Sequence, residues 1–352
     1  MSNTSSLSIF LLGATGYVGG QLLISLASDF PDIPIRALAR NVSGTGKIAA
    51  LQALHPKLET VEGSLADGKI IEAEAKKADI VINVAAAGDM DSINAIIRGL
   101  QQRSRSYAPT PTPIYIHMSG TAVLSDGARG ELLVPEKIWD DSEYDLNSLQ
   151  QSKVDMAKDS CRAIAEAGSS GEIRTMIVLP GLIYGVGPGI QKTSLPQRFF
   201  LNFASQTGYA GTFGSGRNVG VYVHLKDVAS AVSLVLKEAL DGKDIAEGKQ
   251  GFYFVGSKKM ISIKDFTEII GNTLLNKGLI SKPGSTPYPP SVVEQGGIFG
   301  DVVFGSNLVS ISGRLAAMGW NTAHTETESI YESLPREIEV AVKEMGLTFK
   351  QG

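Results

Sequence analysis

The 352-residue chain has a single cysteine, Cys161, and four histidines, His55, His117, His224 and His324. One thiol forms no internal disulfide, and metal clusters built on cysteine are excluded with it. No two histidines stand at ligand spacing, so no metal is expected. Lys and Arg number 32 against 36 Asp and Glu, which leaves no basic excess to hold nucleic acid or acidic lipid. Charged residues are only 19% of the chain and hydrophobic ones 43%, a balance that excludes disorder. Charge is wholly missing from Met1 to Ser28, and Leu7–Ala27 is mostly apolar. A signal peptide would need a basic leading region, yet the first cation is Arg36. The run also holds four glycines within Gly13–Gly20, enough to break a spanning helix. A soluble, cytoplasmic α/β protein is the expectation.

Glycine is abundant, with 39 residues against a usual ~7%. With no collagen period, these residues mark tight turns and close backbone approaches. Between them, apolar strands alternate with helical stretches. The pattern predicts strands at 8–12, 33–39, 58–62, 79–84, 114–118 and 173–179. Helices are expected at 17–28, 45–54, 67–77, 89–104 and 148–167. Ala78–Val84 and Ile173–Leu179 are near-continuous apolar runs, as in strands covered on both faces. The proline-rich 108–113 reads as a rigid connector. Segments 225–240 and 251–255 read as helix and strand, and 326–345 as helix restarting at Pro335.

Gly13-x-x-Gly16-x-x-Gly19 falls between a strand and a helix. The first glycine permits the turn, the second lets amides approach a pyrophosphate, and the third lets helix and strand pack. Phosphates would sit at the positive end of the following helix, beside Thr15, Tyr17 and Val18. The plain alternative is a turn that binds nothing. An NAD site would place an acid at the end of the second strand. Here no acidic residue occurs between Ile33 and Leu58, whereas Arg40 follows the strand. A guanidinium clamps a 2′-phosphate, so NADP(H) is favoured over NAD(H). The competing reading of Arg40 is a solvated surface residue.

With these motifs the chain resembles an extended or atypical short-chain dehydrogenase/reductase of the NAD(P)-dependent epimerase/dehydratase-like kind. Glu62-Gly63-Ser64-Leu65-Ala66-Asp67 is similar to that family's adenine-side segment, with Ser64 where an Asp is usual. Asn83-Val84-Ala85-Ala86 is similar to its small-residue motif beside the cofactor, and Tyr115–Thr121 to the strand delivering a catalytic Ser or Thr. Leu179–Gly189, which includes Pro180, Gly181, Leu182 and Ile183, is similar to the loop that covers the nicotinamide. Val223–Ala229 and Met318-Gly319-Trp320 also fit. The resemblance implies a Rossmann-type doubly wound parallel sheet with a smaller C-terminal substrate-binding lobe. Residues 1–180 would form the first domain, with 221–256 returning to it, and 181–220 with 257–352 the lobe and C-terminal helices.

The departure is the family's Tyr-x-x-x-Lys pair. Ser152-Lys153 is kept, but Leu149 stands at the tyrosine position. Leucine donates no proton, and losing a positioned general acid costs on the order of 10²–10⁴ in rate. Tyr144 reaches the site only if Asp145–Asn147 is loop. Tyr222, paired with Lys226, reads as coincidence. The candidate catalytic set is therefore Ser119, Thr121, Lys153 and Tyr144, with Lys153 also on the cofactor ribose. The alternation puts His117 in the core. Three functions remain: an NADP(H)-dependent oxidoreductase of small-molecule metabolism, an isomerase, epimerase or dehydratase that recycles its cofactor, and a non-catalytic NADPH-binding regulator. In the lobe, Phe199, Phe200, Phe203, Tyr209 and Phe213 suit a partly apolar ligand or a core, and Arg198 and Arg217 are candidate anchors for a nucleotide-sugar pyrophosphate. The expected partners are a small-molecule substrate and at most a second copy in a homodimer.

Overall fold

The computed structural model describes residues 7–106, 111–132, 138–152 and 155–350. The apolar runs become the strands of a parallel sheet. The first units are β1 (Ile9–Leu12), α1 (Tyr17–Asp29), β2 (Ile35–Ala39), α2 (Lys47–Leu54), β3 (Leu58–Glu62), α3 (Gly68–Lys77), β4 (Ile80–Asn83), α4 (Met90–Ser106) and β5 (Ile114–Met118). Next come the two-residue β6 (Trp139–Asp140), α5 (Leu146–Leu149), α6 (Asp155–Gly168), β7 (Arg174–Pro180), β8 (Leu182–Tyr184), α7 (Leu195–Thr207), β9 (Gly211–Thr212), β10 (Val219–His224), α8 (Leu225–Leu240), β11 (Phe252–Val255), β12 (Met260–Ser262) and α9 (Ile263–Asn276). The chain closes with α10 (Pro290–Ile298), a π-helical turn at Phe299–Val303, and α11 (Gly313–Ala317), α12 (Ala323–Thr327) and α13 (Ile330–Met345).

The seven-stranded sheet runs β11-β7-β5-β4-β1-β2-β3. Every pairing in it is parallel, with Leu12 in register with Leu38 on one side and Asn83 on the other. Strand order reverses between β1 and β4, which opens a crevice at their carboxyl ends, the position where such sheets bind ligands. All residues of β1, β4 and β5 are buried, because helices cover both faces. Leu22, Leu23 and Leu26 of α1 and Val228, Val232 and Val235 of α8 pack on one face. Ile71, Ile93, Ile96, Cys161 and Ile164 of α3, α4 and α6 pack on the other. Each aliphatic side chain so buried contributes about 1.5–3 kcal/mol. A third cluster, with Tyr184, Phe200, Phe203, Phe213, Phe266 and Phe304, forms the heart of the C-terminal part.

Two sequence expectations are corrected. The helix expected at 148–167 is broken. Asp145 accepts from Ser148 N at 2.9 Å and starts the one-turn α5, and the long helix begins only at Asp155. Pro335 lies inside α13 and restarts nothing. The helix is started by a capping box of Ser329 and Glu332. Pro335 has no N–H to give to the Tyr331 carbonyl one turn back, and the helix continues past it to Met345. Within 221–256, β10 pairs with β8 and β12 in a small separate sheet, α8 packs on the main sheet and β11 forms its edge. Among the described residues, no helix is long and apolar enough to cross a membrane.

Candidate cofactor and substrate site

The crevice is walled by backbone. Gly13 leaves β1 with φ +96°, and a Cβ there would lie 2.8 Å from Ala85 N. Asn83 holds that same amide through its Oδ1 at 3.1 Å, so β4 and the glycine loop are locked at a separation that only glycine allows. Gly16 N donates to Gly13 O at 2.9 Å, and a side chain at Gly19 would overlap the Gly13 carbonyl. Gly16 is the N-cap of α1 and has no side chain to cap it, and no acid stands in the first turn. The first amides of α1 therefore face the crevice with the positive end of the helix behind them, the arrangement that holds a pyrophosphate.

The second wall is the loop after β8. Tyr17 OH donates to Gly185 O at 2.6 Å. A Cβ on Gly20 would come 2.7 Å from Gly189 Cα, so α1 and this loop touch backbone to backbone. Beneath the loop, Glu337 accepts from Gln197, and burial raises its carboxyl above the usual range. The two glycine-rich segments of the sequence thus interlock at one place.

A cavity of ≈370 Å³ opens at this junction. Gly16, Tyr17, Val18, Ala85, Ser119, Thr121, Pro180, Gly181, Leu182 and Ile183, all expected from the sequence, line it together. Gly13, Thr15 and Gly19 shape the loop behind them. Thr121 Oγ1 donates to Pro180 O at 3.3 Å, tying the end of β5 to the loop after β7. Ser119 Oγ is buried without a well-formed hydrogen bond among the described residues. It lies beside the Cys161 thiol, which burial pushes up to about 11. The thiol is the hydrogen-bonding neighbour of Ser119, and Ser119 lines the cavity.

Tyr144 is elsewhere. It is fully buried, and its ring packs edge-on against Trp139, Phe252 and Phe254 at 5.1–5.3 Å. Burial raises its pKa far above the usual value, so it offers no proton to the cavity. Leu149 is also fully buried in the core beneath α5 and does not line the cavity. On the α6 side the wall is the methyl group of Ala157. Lys153 lies outside the described residues, as do residues 107–110 of the connector. Tyr222 packs on Tyr184 in the small sheet, and His117 is a core residue between Tyr115 OH at 3.1 Å and Ala87 O at 3.2 Å.

Arg40 is exposed just beyond β2, and Lys47 Nζ donates to its carbonyl at 2.8 Å. Arg36, by contrast, is bound to Glu74 at 2.9 Å. Leu65 and Ala86 are half-buried in the loops after β3 and β4 and do not line the cavity. Ser64 donates from its N and Oγ to Asp67, closing the turn in which the resemblance expects an acid. The far wall was not anticipated. Ile298, Phe299, Val303, Phe304 and Leu308 supply it, and Gly296 and Gly300 admit the Phe213 ring against this segment. Those glycines are visible in the sequence, but the ring they receive is more than eighty residues away.

No family model matches the chain. Among curated proteins it is 28% identical to a protein named oxidase ucsJ from an Acremonium species, over 95% of this chain and 96% of that one. The UDP-glucose 4-epimerase of Thermotoga maritima, solved with UDP-glucose, superimposes with a TM-score of 0.63 at 14% identity, covering 96% of this chain and 100% of that chain. The dTDP-glucose 4,6-dehydratase of Bacillus anthracis, solved with NAD, gives 0.62 at 14% identity, covering 96% and 97%. The chain shares their fold.

Proposed function

We propose that this chain, built on the fold of the NAD-dependent epimerase/dehydratase proteins, is an NADP(H)-dependent oxidoreductase of a small-molecule substrate. One observation carries the reading: Ser119 at the end of β5 and the uncapped start of α1 line the same cavity. The loop fits a dinucleotide because the start of α1 that lines the cavity has no side-chain cap and no acid in its first turn, while Gly13 and Gly19 let the loop close on β4 and on itself. When bound, the nicotinamide supplies or accepts the hydride. The amides of α1 hold the pyrophosphate, and Pro180–Ile183 and Val84–Ala85 flank the nicotinamide. Ser119 Oγ donates to the substrate oxygen, while Thr121 fixes Pro180 and acts as a positioning residue. Tyr17, the one tyrosine among the described lining residues, donates to Gly185 O, and burial raises its pKa well above the usual value. Lys153 is assigned to the nicotinamide ribose on the strength of the resemblance. Without a tyrosine acid, turnover is expected to be roughly 10²–10⁴ below that of a tyrosine-bearing relative.

The preference for NADP(H) rests on Arg40 and on the absence of acid from Ile33 to Leu58. Dissociation constants for NADPH and NADH, measured on wild type and Arg40→Ala, test it. The expected result is a roughly tenfold loss for NADPH with NADH unchanged, and an equal loss for both overturns the preference. Following NADPH absorbance together with substrate mass separates net oxidoreduction from a reaction that recycles the cofactor.

A further inference from the structure

The solved structures that share this fold include one holding UDP-glucose, yet the cavity is built for a different chemistry. Among the described residues, no Lys, Arg, His, Asp or Glu side chain lines it. The two arginines that could anchor a pyrophosphate are already engaged: Arg198 pairs with Glu344 at 2.8 Å and Arg217 with Glu131. The start of α7 also reaches the cavity, at Ser194, Leu195 and Pro196. It is blunted, because Ser194 N donates to Gln197 Oε1 at 2.9 Å and Pro196 has no N–H. A second diphosphate, beside that of the cofactor, would find no counter-charge among the described lining residues.

The polar groups that remain are few, and most are occupied. Tyr17, Thr121 and Gln191 donate to the carbonyls of Gly185, Pro180 and Thr193. Ser119 and Ser194 also line the cavity, and among the described residues neither Oγ has a well-formed hydrogen bond, with the Cys161 thiol lying against Ser119. Opposite it, the wall of Ile298, Phe299, Val303 and Phe304 is aliphatic and aromatic. At the mouth, Leu195, Ile298 and Phe299 expose apolar side chains to solvent, at 56%, 43% and 37%. Exposed apolar groups around a cavity mark an apolar ligand's way in.

We infer that the substrate is an uncharged, mostly apolar compound with one carbonyl or hydroxyl oxygen directed at Ser119, and that Phe299 at the mouth is a determinant of this specificity. The inference rests on the reading of the site as an oxidoreductase pocket. NADPH titration alone tests that reading. The substrate class is tested separately, with and without NADPH, by calorimetric titration of two probes, 2-tetralone (an uncharged bicyclic ketone) and UDP-glucose. Wild type is expected to take the ketone saturably and UDP-glucose at least tenfold more weakly. Phe299→Asp places a carboxylate on a partly exposed position, so the fold and NADPH binding should be retained. Ketone affinity should fall at least tenfold. Phe299→Leu should restore it. UDP-glucose bound as tightly as the ketone, no saturable ketone binding, or ketone binding untouched by Phe299→Asp would each overturn the inference.

Discussion

Gly16→Ala separates a glycine loop that binds phosphate from one that merely turns. Gly16 has φ −79° and ψ 174°, a conformation alanine adopts freely. The added Cβ would meet Gly13 O at 3.1 Å, a tight contact that costs a few tenths of a kcal/mol up to about 1 kcal/mol. Replacing glycine at a compatible site returns about 0.4–1 kcal/mol through the unfolded chain, so the net effect on folding is near zero. A 352-residue protein melts with an entropy of about 0.7 kcal/mol/K, so the melting temperature should move by no more than about 1.5 °C. The cofactor should feel the change far more. Gly16 lines the cavity at the start of α1, so the expectation is that the added methyl group would crowd a pyrophosphate approaching those amides. Losing one charge-assisted hydrogen bond of about 1.5–3 kcal/mol lowers affinity roughly 10–150-fold. NADPH fluorescence titration and a thermal melt on the same preparation read both quantities. A variant that melts like wild type and binds NADPH within threefold would refute the phosphate assignment.

Tyr17→Phe should lower the melting temperature by about 1–4 °C, because it leaves the buried Gly185 carbonyl without its donor at 2.6 Å, a loss of about 1–3 kcal/mol. Differential scanning calorimetry checks this, and an unchanged melt would show that the contact adds nothing. Acid should destabilise the fold through its buried histidines. Burial lowers both His117 and His224 from 6.5 to about 4, so the unfolded chain takes up the proton first. Stability then falls as pH drops from 6.5 toward 4. For His117 the loss between pH 6.5 and pH 5 is about 2 kcal/mol. Urea midpoints across that range should slope downward in wild type and less steeply in His117→Gln, and equal slopes would exclude His117 as the cause.

Strands β1, β4, β5 and β7 were legible because burial on both faces writes a continuous apolar run, and the first glycine loop because its spacing follows from the turn it makes. The break after Leu149 was not legible. There the backbone tightens into three-residue turns, with Gln150 N, Gln151 N and Ser152 N donating to Asn147 O, Ser148 O and Leu149 O, and a helical pattern alone does not show where the backbone stops following it. Tyr144 was misplaced for a related reason. Sequence spacing gives a direction around an ideal helix, whereas the ring follows Phe252 and Phe254, more than a hundred residues away. The far wall at 298–308 depends on Phe213 filling the space over Gly296 and Gly300. Such a packing relation becomes visible only once both segments are in place.

The cavity joins two walls of different construction. Toward α1, the contact between Gly20 and Gly189 is main chain against main chain, so a side chain at either position would force the two segments apart. Toward the π-helical turn, the wall is side chains alone, and Phe299 is partly exposed. Variation in ligand shape can therefore accumulate at 298–304 without disturbing the cradle. A lineage, or a designer, seeking new substrates on this scaffold would find its freedom concentrated on that one side.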